Sequence, residues 1–227
     1  MDRITRAGPL LALIRRHESD GAAKGQGVAS AYDVVWSGIK PEDRPRKLSA
    51  LPVDRVLWWQ DLIDARYMSE AAGAYQIMED TLRTLAVDRS AIFDAATQDA
   101  LGLQLLDRRG WAKCEAGQMT PEAFANELAK EWASLPVVTA VKRGARTLRP
   151  GQSYYAGDGL NAAHAKPAEV LAAIRAALAG DAAAPVPAAP EPAPGAAEDA
   201  VVAWLARMPP EARAVGRWLA EAQEIGA

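Results

Sequence analysis

The chain has 227 residues, half of them hydrophobic, with 26 Lys/Arg, 29 Asp/Glu, two histidines and one cysteine. That length supports one sizeable core with an appendage, while a lone cysteine excludes an internal disulfide and fits a reducing compartment, and the scarcity of Cys and His argues against a structural zinc site. Residues 1–179 carry 23 Lys/Arg and 22 Asp/Glu, and residues 180–227 carry 3 and 7, so the nearly neutral body offers no electrostatic case for nucleic-acid binding.

The N-terminal MDRITRAGPLLALIRRHE superficially resembles a signal peptide. Arg15 and Arg16 break its apolar run and no small-residue cleavage site follows, so it reads as a helix of the mature protein, opened by Gly8-Pro9. Leu10, Leu11, Leu13 and Ile14 form an apolar stripe. YDVVW, 32–36, has strand character, with Gly38 as a turn signal. A helix is expected over 53–66 behind Pro52. Its adjacent Trp58 and Trp59 cannot both face one core. Asp94 is placed to cap a helix through ATQDALGLQLLDRR, ended by Gly110. Thr120-Pro121 starts another, with Phe124, Leu128 and Trp132 on one face until Pro136. Lys166-Pro167 opens a last one, carrying Val170, Leu171, Ile174 and Leu178.

Residues 180–199, GDAAAPVPAAPEPAPGAAED, read as an extended Ala/Pro-rich linker. Residues 200–227 read as one or two short amphipathic helices, with Val201, Trp204, Leu205 and Met208 before the Pro209-Pro210 break and Val215, Trp218 and Leu219 after it. No run reaches the ~18 apolar residues of a membrane span, and no internal repeat is visible. The expected class is α+β, predominantly α, with a small sheet: a body over 1–179, a linker over 180–199 and a helical segment over 200–227.

Glu18 raises the chemical question. Positions 11, 14 and 18 of an α-helix lie nearly above one another, so a carboxylate falls on, or at the lip of, a buried stripe. Desolvation there pushes its pKa up, which suits a general acid at near-neutral pH. The alternative is a helix that ends at His17 and turns Glu18 out to water. Asp20, Asp33, Glu79 and Asp80 are all possible second carboxylates, and spacing does not choose among them. Tyr32 and Asp33, as strand neighbours, would face opposite ways.

In SEAAGAYQIMEDTL, 69–82, the run Ala71–Ala74 permits close approach of a backbone or a sugar. Tyr75 offers a ring and a hydroxyl, and Gln76 a donor and an acceptor, a set suited to a hydroxyl- and acetamido-rich carbohydrate. The same stretch also reads as a tight turn into a helix with Ile77 in the core.

The ordered elements HES (17–19), YDVVW (32–36), RPRKL (44–48), AAGAYQIM (71–78), TQDALGLQLLDRRG (97–110), EWASLP (131–136) and GQSYY (151–155) together resemble the phage lambda-type endolysins, lysozyme-like peptidoglycan lytic transglycosylases. The resemblance spans about residues 10–155. It implies a lysozyme-like fold in which Glu18 is the catalytic glutamate at the end of the first helix. It implies that Tyr32 and Asp33 line the cleft and that Tyr75 and Gln76 lie beside the substrate. Arg46 matches the Arg of the PRKL segment, in a structural or substrate-contacting role, and Gln152 and Tyr154 fall near a second GQ-containing loop.

The implied reaction cleaves the β-1,4 bond between N-acetylmuramic acid and N-acetylglucosamine without metal or organic cofactor. A hydrolytic muramidase with Asp33 as partner carboxylate is the alternative, and a non-catalytic wall-binding particle protein a further one. The implied partners are peptidoglycan strands and, through the C-terminal helices, a phage or phage-like particle; a monomer is expected. Lacking a recognisable leader, the chain is expected to be made in the cytoplasm and to reach the wall through a membrane pore or on a particle. The sequence departs from the family's pattern in the longer 49–70 stretch and in an insertion over 137–150, VVTAVKRGARTLRP. That insertion carries Lys142, Arg143, Arg146 and Arg149 and no acid, and reads either as a solvated loop or as a contact with anionic wall polymer or a membrane surface.

Overall fold

A computed structural model describes residues 2–157 and 161–180. The linker beyond Gly180 and the two C-terminal helices expected from sequence lie outside the described residues.

Helix α1 (Arg3–Arg15) starts six residues before the expected Pro9. The reason is a cap: the Asp2 carboxylate accepts from the Thr5 N–H at 2.8 Å. Pro9 therefore lies inside the helix, and the carbonyl its missing N–H leaves unpaired belongs to Thr5, on an exposed turn where water can reach it. Ala7, Leu10, Leu11, Leu13 and Ile14 are all buried, which makes α1 a central helix. It packs on α5 (Ala95–Arg108) and α8 (Pro167–Ala179).

The rod does not stop at Arg15. A π-helical turn (Arg16–Asp20) carries it into α2 (Gly21–Gln26), which Gly27 ends in the left-handed conformation at φ 69°. Helix α3 (Val53–Asp64) matches the expected segment to within two residues. Trp59 is fully buried and donates from Nε1 to the Asp43 carbonyl at 2.9 Å, while Trp58 is half-buried at the edge of the core. Helices α4 (Glu79–Thr84) and α6 (Trp111–Glu115) are too short to show a clear period in sequence. Helix α5 carries the expected Asp94 cap, which accepts from Thr97 N at 2.9 Å. Helix α7 (Pro121–Leu128) starts at the expected Thr120-Pro121, where the Thr120 hydroxyl accepts from Ala123 N at 3.1 Å, but ends at Leu128, before Trp132 and the expected stop at Pro136.

The expected strand at 32–36 is not one. Ala31–Asp33 forms a 3-10 turn, because the Ser30 hydroxyl accepts from the Tyr32 N–H and local side-chain bonding competes with extension. Only Val34–Trp36 is extended, and it meets the 71–73 backbone through Trp36 N–H to Ala71 O (2.9 Å) and Gly73 N–H to Val34 O (2.7 Å). Among the described residues the sheet is instead a two-stranded antiparallel hairpin, β1 (Val141–Arg143) and β2 (Arg146–Leu148), inside the 137–150 insertion. Buried Leu148 anchors it in a small cluster with Ala129 and Val137. The fold is thus predominantly α with a small sheet, and a single main core joins α1, α3, α5, α7 and α8.

Candidate active site

The π-turn sets the position of Glu18. A π-turn inserts one residue into the helical register, and the residue that goes inside is Ser19, whose hydroxyl donates to the carbonyls of Ala74 (2.9 Å) and Arg15 (3.1 Å). Glu18, its neighbour, is left half-buried at the lip of the stripe rather than within it. Its carboxyl accepts a hydrogen bond from the Ser134 hydroxyl. Burial pushes its pKa above the ordinary Glu value, opposed by the hydroxyl and backbone of Ser134 and by nearby His164.

Glu18 opens onto a cavity of about 570 Å³. Trp36, Met68 and Met78 form its apolar side, Gln76 and Ser69 supply polar groups, and Glu131, Trp132 and Tyr155 line the wall after α7. Met68 is 71% exposed at the rim. Apolar and aromatic surfaces with a few fixed polar groups are the usual make-up of a small-molecule or sugar cleft. Among the described lining residues two carry carboxylates, and Glu131 is held by Arg109 at 2.6 Å. Glu18 has no cationic partner within ion-pair distance among the described residues.

The AAGAYQI loop forms the floor. Ala72 and Ile77 exchange backbone hydrogen bonds across Gly73–Gln76. Gly73 stands at φ 77°, and a Cβ there would lie 2.3 Å from Gln98 Oε1, so glycine is needed both for conformation and for space. Buried Gln98 accepts from Ala74 N–H (2.8 Å) and donates to the carbonyls of Tyr32 (3.0 Å) and Phe93 (2.7 Å). One amide thereby ties three loops together. Gln76, at φ 48°, curls its amide back onto Gly73 O at 2.8 Å and faces the cavity.

The other sequence-derived positions fall elsewhere. Tyr75 is 1% exposed and Tyr32 4% exposed, so neither ring presents a face to a ligand. Both hydroxyls donate to Asp99, and Arg15 completes the cluster by donating to the Tyr75 oxygen at 2.8 Å. Burial raises both phenol pKa values, and the two hydroxyls act as donors that hold Asp99 beneath the floor. Asp33 is turned away from the cavity and accepts from Ser49 N–H at 2.8 Å. Arg46 is exposed and outside the cavity lining. Gln152 accepts from Arg149 N–H at 2.7 Å within its own turn. Tyr154 belongs to the small cluster beside the hairpin, and the cavity is lined by its neighbour Tyr155.

The sequence did not single out Trp36, Glu131 and Trp132 as cleft residues or Ser134 as the partner of Glu18, although EWASLP and the last letter of YDVVW contain them all. Among the described residues no group of three or more His, Cys, Asp or Glu side chains is placed to hold a metal ion, and no helix is long and apolar enough to cross a membrane.

The described fold is a predominantly helical body whose first helix runs into a turn bearing a half-buried glutamate, which opens onto an amide- and aromatic-lined cleft. The family model described as Endolysin matches residues 9–160, more than half of the chain. The chain belongs to the Endolysin family, the family of phage enzymes that degrade the bacterial cell wall. Comparisons with curated proteins and with solved structures give no match.

Proposed function

We propose that the protein cleaves the β-1,4 bond between N-acetylmuramic acid and N-acetylglucosamine by lytic transglycosylation, with Glu18 as general acid and then general base. The observation that carries this is Glu18 itself: its carboxyl is half-buried, its pKa is raised by desolvation, and it opens onto the cleft. The protonated carboxyl donates to the glycosidic oxygen as the bond breaks and positive charge builds on the sugar. Glu18, now ionised, takes the proton of the muramic acid 6-hydroxyl as that oxygen closes on the anomeric carbon. The product is a 1,6-anhydro sugar, and no water is consumed.

Hydrolysing glycosidases ordinarily use a second free carboxylate as nucleophile or base. The other cleft carboxylate, Glu131, is neutralised by Arg109, and Asp33 is occupied by a backbone N–H outside the cleft. That favours the sugar's own hydroxyl over water as the attacking group. Glu18→Gln tests the assignment: wall clearing is expected to disappear, and undiminished clearing would overturn it.

A further inference from the structure

The 137–150 hairpin carries a second feature next to the cleft. Arg143 and Arg146 are directly paired across it, flanking the two-residue turn at Gly144, whose φ is 59°. Like charges directly opposite in a ladder are destabilising, and among the described residues no carboxylate lies within ion-pair distance of Arg143, Arg146, Lys142 or Arg149. One of the two guanidinium groups is nevertheless held in place. Arg143 donates to Tyr154 O at 3.0 Å and stacks on the Tyr154 and Tyr155 rings, at 5.2 and 5.5 Å from their centroids. Arg146 lies against Gly157, where a Cβ would come within 2.4 Å of its Nη1, so the glycine makes room for it. Together with Ala156 these residues line an open pocket of about 300 Å³.

Two guanidiniums facing one pocket, one of them preorganised and neither with a carboxylate partner among the described residues, make a carboxylate or phosphate site. The pocket is joined to the cleft through Tyr155, which lines the cavity on one side and supports Arg143 on the other. A membrane surface fits less well, because the exposed hairpin residues, Lys142 to Thr147, include no large apolar side chain to insert. The geometry points to a subsite for the carboxylates of the peptide stems that branch from the glycan strand, in which Arg143 and Arg146 bind the stem while the strand occupies the Glu18 cleft. This inference rests on the glycan reading of the cleft.

The test is co-sedimentation of the full chain with purified peptidoglycan, and with the same glycan stripped of its peptides by an amidase. Both are run on wild type and on Arg143→Gln/Arg146→Gln. The preference of wild type for stem-bearing over stem-free glycan is expected to fall about tenfold in the double variant, the worth of one charge-assisted hydrogen bond network. Arg143→Lys/Arg146→Lys, which keeps the charge but loses the planar guanidinium and its stacking on Tyr154 and Tyr155, is expected to show an intermediate preference. An unchanged preference in the Gln variant overturns the proposal. Binding is read separately from cleavage. Wild type that yields no cleaved product contradicts the transglycosylase reading, and a stem preference that depends on the two arginines would still support the subsite.

Discussion

The Ser134 hydroxyl donates to Glu18 Oε1 and so joins the turn after α1 to the loop after α7, 116 residues apart in sequence. The bond fixes the direction of the carboxyl toward the cleft. It also favours the ionised form, and so works against the desolvation that raises the pKa of the group.

Ser134→Ala removes that pull. The Glu18 pKa is expected to rise further, and the alkaline limb of the pH–rate profile to move to higher pH, because a general acid acts while protonated. A lower kcat, by about tenfold, is expected from lost positioning. A limb that stays in place would mean that the hydroxyl does not engage the carboxyl in solution.

Glu18→Gln keeps the acceptor for Ser134 and loses the proton. Activity is expected to drop by about a thousandfold or more, the scale of general acid–base catalysis. Stability moves the other way. Above the ordinary Glu value of 4.5 the folded protein holds a proton that the unfolded chain releases, so wild-type stability falls as pH rises toward the Glu18 pKa. The Tm advantage of the Gln variant is therefore expected to be near zero below about pH 4 and to grow as pH rises. Thermal melts across that range check the sign.

Gln98→Ala leaves the Ala74 N–H and the Tyr32 and Phe93 carbonyls without their partner in a fully buried place. A loss of about 3 kcal/mol or more is expected in denaturant unfolding. Gly73→Ala is expected to be comparably damaging, since it combines a strained φ with a 2.3 Å clash against the Gln98 amide. Wild-type stability in either variant would mean that this loop is not pinned as described.

Truncation after residue 180 is expected to leave folding and lysis intact. The last described helix, α8, already buries Val170, Ile174 and Ala177 in the main core and ends at Gly180 with φ 76°. Calorimetry and a wall-clearing assay on residues 1–180 check this, and loss of the cooperative transition would place the C-terminal segment in the core.

Helix ends with a side-chain signature were legible in the sequence. Asp94 and Thr120 cap where their positions suggest, and Gly110 follows α5 in the left-handed conformation. Glu18 was legible as an oddity on an apolar stripe, but the π-turn that shifts it to the lip leaves no periodic trace in a sequence. Tyr32 and Tyr75 were legible as a pair of important residues and misleading as to their place. Aromatic residues with a hydroxyl suit a sugar cleft or a buried hydrogen-bonded cluster equally well, and only Asp99 and Arg15, distant in sequence, decide for the second. The 137–150 hairpin was hidden because three-residue strands show almost no alternation, and because one buried residue, Leu148, is enough to seat it.

In the proposed mechanism Glu18 drives intramolecular closure of the sugar rather than attack by water. Mass spectrometry of peptidoglycan digested by the wild-type protein tests it most directly, with Glu18→Gln as the blank. Muropeptides lacking one water, the mark of a 1,6-anhydro end, are the predicted products. Muropeptides with an ordinary reducing-end muramic acid would overturn that mechanism and return the protein to the hydrolytic muramidases.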